Sequence, residues 1–196
     1  LSVMAKRFRE IQAAHGPQAV AVISTGQLVT EEFYTLGKLV QLGLGTSNYD
    51  GNTTLCMSSA VAGYKRSFGS DGPPGCYADL ERADCVFLIG ANIADNHPIL
   101  YTFLERNSKK TVVVADPRMT KTVMQADIYL PLKPRTDLAL LYGMMHILIE
   151  ENLVDSRFIA DHTTGFGELQ EFLKDYSPAR TAKITGLKEV LIHQAA

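Results

Sequence analysis

Short, continuously apolar runs alternate along the chain with longer segments in which apolar residues recur every three or four positions. The apolar runs have the length of β-strands, and their lack of polar alternation is typical of parallel strands that are buried on both faces. The runs cover residues 19–24, 85–90, 111–115 and 126–130. Alternating strands and helices predict a three-layer, Rossmann-like α/β fold, in which helices cover both faces of a parallel sheet.

The segments between and after these runs have the periodicity of amphipathic helices. We predict helices at residues 2–14, from 30 to about 43, from 56 to about 69, at 77–83, 97–107, 138–152, 156–163 and 167–175, and from 187 onward. We interpret residues 1–196 as a single domain, with a strand–helix core at about 17–152 and a helical extension at 153–196.

Polar residues, prolines and glycines between the periodic segments predict caps and turns. Thr30 is the expected N-cap of the second helix, and Thr136 or Asp137 that of the helix at 138–152. Further breaks in the pattern are expected at 48–52, 70–75, 177–178 and 185–186.

The composition is that of an ordinary globular protein, with 196 residues, 46% hydrophobic and 20% charged. A formal net charge of −2 provides no basic field that would attract nucleic acid, and no apolar run is long enough to span a bilayer. Three cysteines without a C-x-x-C spacing argue against a zinc ribbon, an iron–sulfur motif within this chain and a disulfide framework. Because the chain begins at Leu1 rather than Met and ends inside a helical pattern, we expect a fragment of a larger protein.

Cys56 has the most suggestive surroundings of the three cysteines. It follows polar turn residues and precedes small residues at helical spacing, which would let a large group approach the backbone. A thiol at the start of a helix feels the positive end of the helix dipole, and this favours the thiolate that binds soft metals. On local features alone, a buried structural cysteine is the simpler interpretation. Cys85 opens an apolar strand and is expected to be a core thiol, and Cys76 has no assigned role.

Glycine-containing loops follow the first two predicted strands, at 24–27 and 90–92. Loops at the carboxyl ends of parallel strands are where α/β sheets bind ligands. Since no G-x-G-x-x-G follows a strand, an ordinary NAD-binding fingerprint is absent. Taken singly, the polar residues of 92–95 are explained as turn formers, 116–118 as a turn after a strand and 136–137 as a helix cap.

Two stretches together resemble the molybdopterin oxidoreductases, which carry molybdenum on two pterin guanine dinucleotides. They are Asn52-Thr-Thr-Leu-Cys56-Met57-Ser-Ser-Ala-Val-Ala-Gly-Tyr and Val86-Phe-Leu-Ile-Gly90-Ala-Asn92-Ile-Ala-Asp95-Asn-His97-Pro98. The likeness runs from about Val20 to about Leu187, and it is strongest to the bacterial assimilatory nitrate reductases of that superfamily.

The resemblance implies that Cys56 is the protein ligand of molybdenum and that Met57, beside it, belongs to the catalytic site. Formate dehydrogenases usually carry His after the ligating residue, so Met57 favours nitrate over formate as the substrate. Gln27 and Asn52 match polar contacts to the pterin dinucleotides. Residues 89–96 match the loop that wraps a dinucleotide.

Two further loops match cofactor contacts of the family. Residues 116–120 match a loop whose acidic residue can hold ribose hydroxyls, and 135–137 match a contact to the guanine end, where a carboxylate suits the N–H edge of the base. The full set of cofactor-binding residues implied by the resemblance is Gln27, Asn52, Ile89, Gly90, Ala91, Asn92, Ile93, Ala94, Asp95, Asn96, Asp116, Pro117, Arg118, Met119, Thr120, Arg135, Thr136 and Asp137.

The resemblance also implies the setting of the parent protein. It would reduce nitrate to nitrite by oxygen-atom transfer at molybdenum. Its electrons would come from ferredoxin, flavodoxin or an NADH-linked subunit through a [4Fe-4S] cluster outside this chain. The remaining domains of the same enzyme would enclose the cofactor, and the fragment alone is expected to be inactive and free of cofactor. Assimilatory likeness implies the cytoplasm, with the periplasm as the alternative.

Two other functions fit the same stretches. The parent could oxidise formate or act on another small oxyanion. It could also be a non-catalytic iron–sulfur subunit of the respiratory NADH dehydrogenase type, which has lost molybdenum. The intact Cys56-Met57 pair favours a molybdenum enzyme over this last alternative.

Overall fold

The computed structural model describes residues 1–72 and 74–196, and the chain divides into two compact units, Leu1–Pro74 and Gly75–Ala196. We call them unit 1 and unit 2. The loop predicted at 70–75 includes Pro73, which lies outside the described residues. The interpretation of residues 1–196 as a single domain stays a prediction.

Unit 1 combines a parallel pair of strands with helices. In chain order its elements are α1 (Ser2–His15), a 3-10 turn (Pro17–Ala19), β1 (Val22–Ser24), α2 (Thr30–Lys38), a π-helical turn (Leu39–Gly43), β2 (Tyr49–Gly51), α3 (Thr53–Cys56) and α4 (Ser58–Phe68). β1 and β2 pair in register, with Val22 opposite Tyr49. Val20 and Val40 are the large apolar side chains buried in the described part of this unit.

β2 corrects the prediction of a turn at 48–52. Its residues are turn formers by propensity, but the backbone N–H of Val22 donates to the carbonyl oxygen of Asn48 at 2.9 Å and so begins the pairing with β1. The hydroxyl of Tyr49 adds a side-chain hydrogen bond to Ser24 Oγ at 3.1 Å. Pairing with a neighbouring strand has therefore overridden local propensity.

Unit 2 combines a three-stranded parallel sheet with helices. In chain order its elements are α5 (Tyr77–Arg82), β3 (Cys85–Ile89), α6 (Ile93–Asn96), α7 (Pro98–Arg106), β4 (Thr111–Ala115), a 3-10 turn (Val123–Gln125), β5 (Ile128–Leu130), α8 (Asp137–Glu150), α9 (Ser156–His162), α10 (Phe166–Leu173), α11 (Pro178–Thr185) and α12 (Glu189–Ala195). The strand order is β3–β4–β5, with Cys85 opposite Thr111 and Ala115 opposite Leu130.

Side chains of the central strand β4 alternate between two hydrophobic clusters. Val112 and Val114 belong to the cluster that includes residues of α6 and α7. Val113 and Ala115 belong to the cluster that includes residues of α8 and α12. The predicted parallel sheet with helices on both faces is confirmed, and the bounds of β4 are those predicted.

The breaks predicted at 177–178 and 185–186 bound a helix, α11, that the hydrophobic pattern does not indicate. Ser177 Oγ accepts a hydrogen bond from a backbone N–H of the first turn at 3.4 Å, and Pro178 follows in the first helical position. Gly186 ends the helix with a φ of 77°, a conformation that glycine adopts without strain. Ser177 and Gly186 are therefore the caps of α11, and Pro178 and Thr185 are its first and last residues.

The later helices of unit 2 pack on α8. α10, α11 and α12 each contact it. The contact with α11 is close, since a Cβ added at Gly143 of α8 would lie only 2.8 Å from Thr181 Cβ. In residues 1–72 and 74–196, no helix is both long enough and apolar enough to cross a membrane.

One predicted cap is wrong, and the other is confirmed in position. Val29, not Thr30, is the N-cap of α2, since Thr30 is already helical, and the Glu32 carboxylate accepts from the Val29 N–H at 3.0 Å. Thr136 is the N-cap residue of α8, but its hydroxyl donates to the carbonyl oxygen of Lys133 at 2.6 Å instead of accepting from the helix.

The remaining differences from the prediction concern the first residues of two strands and the exposure of Cys85. β1 and β5 begin at Val22 and Ile128, later than the apolar runs suggest. Cys85 is exposed, so the prediction of a core thiol is wrong. It is the first residue of β3, which forms an edge of the sheet in unit 2.

Candidate functional site

Asn52 joins the ends of the two strands of unit 1. Its Oδ1 accepts from the Gly26 N–H at 2.8 Å, and its own N–H donates to the Ser24 carbonyl oxygen at 2.9 Å. A Cβ at Gly26 would lie 3.3 Å from Thr53 Cγ2, so glycine permits this close contact. Gln27 follows in the same turn and is exposed.

Cys56 lies next to this turn. It ends α3, and Met57 is the N-cap residue of α4. Asn52 Nδ2 donates to Cys56 Sγ at 3.9 Å, which connects the turn with the thiol. Cys56 and Met57 are both exposed, so the interpretation of Cys56 as a buried structural cysteine is not supported. The prediction that Cys56 starts the helix of small residues also needs correction, because Cys56 lies just before that helix.

In unit 2, the loop after β3 begins at Gly90. The Gly90 N–H donates to the Ala115 carbonyl oxygen at 2.9 Å, which extends the pairing with β4 by one residue. Gly90 has a φ of 61°, and apart from Gly90 and its chain neighbours no atom of residues 1–72 and 74–196 lies within 4 Å of the position that a Cβ would take. A ligand can therefore approach the backbone here.

Hydrogen bonds join this loop to the one after β4. Thr122 Oγ1 donates to Asn92 Oδ1 at 3.0 Å and accepts from the Ala94 N–H at 3.1 Å. Asn92 Nδ2 donates to Asp95 Oδ2 at 2.8 Å, and Lys121 Nζ donates to Asp95 Oδ1 at 2.7 Å. The Lys121 ammonium, followed by Asn92, holds the pKa of Asp95 below its usual value, and the carboxylate in turn raises the pKa of Lys121.

The cofactor residues implied by the sequence do not include Lys121 or Thr122. A signal for them exists, since they follow the loop at 116–120 and carry a charge and a hydroxyl to the sheet edge where Asp95 is also expected. Thr122 is fully buried, whereas Lys121 is exposed.

Asp116 follows β4 directly and is only 6% exposed. Its Oδ1 accepts from the Arg118 N–H at 2.8 Å, and its own N–H donates to the Leu130 carbonyl oxygen at 3.3 Å. Burial raises the pKa of the neighbouring Tyr129 phenol, and the charge of Asp116 raises it further. Thr120, at the end of this loop, is also buried.

The loop before α8 has a strained residue. Arg135 has a φ of 68°, which costs a non-glycine residue about 1 kcal/mol or more. It is exposed, while Thr136 and Asp137 are half-buried. The hydrogen bond from Thr136 to Lys133 anchors this turn. Strain of this kind is common at ligand sites.

The predicted site residues thus form two groups. Unit 1 holds Gln27, Asn52, Cys56 and Met57, and the side chain of Asn52 connects Cys56 with the turn that carries Gln27. Unit 2 holds the loops at 89–96 and 116–120, which hydrogen bonds through Thr122 join, and the separate turn at 135–137.

A model of the molybdopterin oxidoreductase family matches residues 1–186. The chain belongs to the molybdopterin oxidoreductase family. It is 40% identical over its whole length to a nitrate reductase of Synechocystis sp.. It is 39% identical, again over its whole length, to a periplasmic nitrate reductase of Desulfovibrio desulfuricans. These matches confirm the family that the two sequence stretches indicate.

A formate dehydrogenase relative is almost as similar. The F420-dependent formate dehydrogenase 1 subunit alpha of Methanococcus maripaludis is 37% identical over 93% of this chain. Among solved structures, acetylene hydratase from Pelobacter acetylenicus matches 98% of the chain with a TM-score of 0.72 and 31% identity, and the match covers 26% of that protein. This likeness confirms the α/β fold within a larger multidomain protein.

The chain spans 28% of the length of both nitrate reductase relatives and 27% of the formate dehydrogenase relative. Family membership implies a molybdopterin cofactor, and one fold supports more than one reaction, as the hydratase illustrates.

Proposed function

We propose that this chain is part of the catalytic subunit of a molybdenum-dependent nitrate reductase. The observation that carries the proposal is the exposed Cys56-Met57 pair beside the Asn52 turn, in a chain about 40% identical to nitrate reductases. Cys56 is the proposed metal ligand, since a thiolate suits a soft, redox-active metal.

The residues of unit 2 fit a dinucleotide. The open space over Gly90 allows the close approach of a phosphate or sugar to the backbone. The second oxygen of the buried Asp116 carboxylate suits ribose hydroxyls, since the first is taken by the Arg118 N–H. Asp137, in the first turn of α8, offers a carboxylate to the N–H edge of guanine. The cofactor we propose is molybdenum on two molybdopterin guanine dinucleotides.

When bound, the cofactor supplies the oxygen-atom transfer and redox chemistry. The chain's own residues position it. Asn52 fixes the turn that carries Gln27 and donates to the Cys56 sulfur, which holds the thiol beside that turn. Residues 89–96 and 116–120 bind the dinucleotide, and 135–137 its guanine end.

Electron supply and compartment complete the proposal. We place a [4Fe-4S] cluster outside this chain, with ferredoxin, flavodoxin or an NADH-linked subunit as the donor. The remaining domains of the enzyme enclose the cofactor. Nitrate assimilation in the cytoplasm is the proposed setting. The periplasm is the alternative, because a periplasmic nitrate reductase is among the relatives.

Formate oxidation is the second candidate function, and the 37% identity to a formate dehydrogenase favours it. Met57 counts against it, since the resemblance to formate dehydrogenases would imply His at that position. An iron–sulfur subunit without molybdenum is the third candidate, and the exposed Cys56 counts against it.

Metal and pterin analysis of the full-length protein tests the proposal. We expect molybdenum with about two pterins per chain, and viologen-driven reduction of nitrate without oxidation of formate. Cys56→Ala is expected to abolish nitrate reduction, whereas Cys85→Ala, a matched change at another exposed thiol, is expected to retain it. Iron without molybdenum would favour the third candidate, and formate oxidation the second.

A further inference from the structure

Thr122 forms a buried link between two loops that we assign to dinucleotide binding. Its side chain is fully buried. Its hydroxyl donates to Asn92 Oδ1 at 3.0 Å and accepts from the Ala94 N–H at 3.1 Å. The single proton of the hydroxyl is therefore donated to Asn92, and a lone pair accepts from the backbone in the first turn of α6.

Asn92, which accepts the Thr122 proton, is itself held by a further hydrogen bond. Because the Asp95 carboxylate is an acceptor, the Asn92 amide must turn its Nδ2 toward Asp95 and its Oδ1 toward Thr122. Lys121 donates to the other oxygen of Asp95 and so returns the chain of hydrogen bonds to the residue next to Thr122. Three hydrogen bonds connect the four side chains, and the backbone between Lys121 and Thr122 closes the ring, which we call the loop ring.

The loop ring changes the role expected of Asn92 and Asp95. Their polar atoms are engaged with one another, with Thr122 and with Lys121. Their side chains therefore hold the loop in shape, and the backbone beside Gly90 is left to meet the ligand.

We propose that Thr122 is a positioning residue, whose buried hydroxyl holds the 90–96 loop in the form that receives the dinucleotide. This inference rests on the proposed function. Removal of the hydroxyl would leave Asn92 Oδ1 and the Ala94 N–H without their partner, which costs more than the loss of one exchangeable hydrogen bond.

Thr122→Val, Thr122→Ser and Thr185→Val in the full-length protein test the inference. Thr122→Val removes the hydroxyl and keeps the shape, and Thr122→Ser keeps the hydroxyl. Thr185→Val is the matched control, because Thr185 is also fully buried in unit 2 but its hydroxyl donates to the Thr181 carbonyl oxygen.

Two readouts are measured on each variant: amide hydrogen exchange of residues 91–96, and molybdenum and releasable guanine nucleotide per chain. For Thr122→Val we expect about tenfold faster exchange in this loop and a clear loss of both cofactor components. Activity per molybdenum atom is expected to stay unchanged, since Cys56 is untouched. Thr122→Ser is expected to restore loop exchange and cofactor content, and Thr185→Val to leave both as in the wild type.

The outcomes separate the two proposals. Wild-type protein free of molybdenum and pterin would overturn the proposed function and this inference with it. A loaded wild type with an equally loaded Thr122→Val variant would overturn the positioning role alone, and so would a Thr122→Ser variant as poor as the valine. If Thr122→Val does not fold, Asn92→Ala removes the acceptor of the same hydroxyl. Unchanged loop exchange and cofactor content in that variant would also overturn the role.

Discussion

The two units of the chain stabilise their proposed binding residues in different ways. In unit 2, hydrophobic clusters lie on both faces of β4, so the loops at the end of the sheet are attached to a packed core. In unit 1, the described residues bury few apolar side chains, and large ones such as Leu42 and Leu55 are about four-fifths exposed, at 81% and 78%. Hydrogen bonds through Asn52 hold its site instead. Similar strand-end sites can thus rest on a packed core or on local polar contacts.

A cavity in the core of unit 2 should have the largest effect on stability. Leu140 is fully buried in the α8 cluster, and Leu140→Ala is expected to lower the free energy of unfolding by about 3 kcal/mol. Urea denaturation measures the loss, and amide exchange in β4 locates it. Leu138→Ala, on the exposed side of the same helix, should cost less than about 0.5 kcal/mol. Equal losses for the two variants would contradict the distinct core of unit 2.

Helical glycines should respond in opposite directions in the two units. A Cβ at Gly143 in α8 would collide with Thr181, so Gly143→Ala is expected to destabilise by about 2 kcal/mol. At Gly63 in α4, no atom of the described residues outside the nearby helix backbone lies within 4 Å of the added Cβ, so Gly63→Ala is expected to stabilise by about 1 kcal/mol. Thermal unfolding of both variants measures the signs, and a stabilising Gly143→Ala would show that α8 and α11 are less closely packed.

The polar anchor of unit 1 should have a moderate effect. Asn52→Ala removes the acceptor of the Gly26 N–H and is expected to cost about 1 kcal/mol. Amide exchange at Gly26 and in β1 reports it. Asn52→Asp keeps the acceptor and should preserve the slow exchange of Gly26. If both variants leave exchange unchanged, the strand ends of unit 1 are held by something other than Asn52.

The smallest effect concerns the exposed Asp95–Lys121 pair of unit 2. Because the pKa of Asp95 in the fold lies below its usual value of 3.8, its stabilising contribution is present above that pH and is lost as pH falls through the lowered pKa. Lys121, with a raised pKa, contributes below its usual 10.5 and loses its contribution as pH rises through the raised value. An NMR titration of the Asp95 carboxyl checks the direction, and high salt should weaken the shift. A midpoint above 3.8 would contradict the pair.

The sequence predicts best those elements whose own residues show how deeply they are buried. After Thr111, β4 is continuously apolar because it is buried on both faces, and this makes the strand easy to locate. β2 is polar, and its pairing with β1 comes from backbone groups that carry no sequence signal. α11 buries Thr181 and Thr185 instead of aliphatic residues, and its caps look like turns.

The candidate site follows the same rule. Loops after strands can be located from the alternation of elements, and the resemblance supplies the proposed role of Cys56. The hydrogen bonds of the loop ring are not predicted because Thr122 and Asn92 are 30 positions apart in sequence, and only the sheet brings them together.

The exposure of the three thiols offers a way to measure the fraction of the protein whose proposed metal site is occupied. Cys56, Cys76 and Cys85 are all accessible to a small alkylating reagent in the structure described here. Occupation of the proposed metal site would block Cys56 and leave the other two as internal standards. Mass spectrometry of a briefly alkylated sample would then give the loaded fraction from the ratio of one modified peptide to the others.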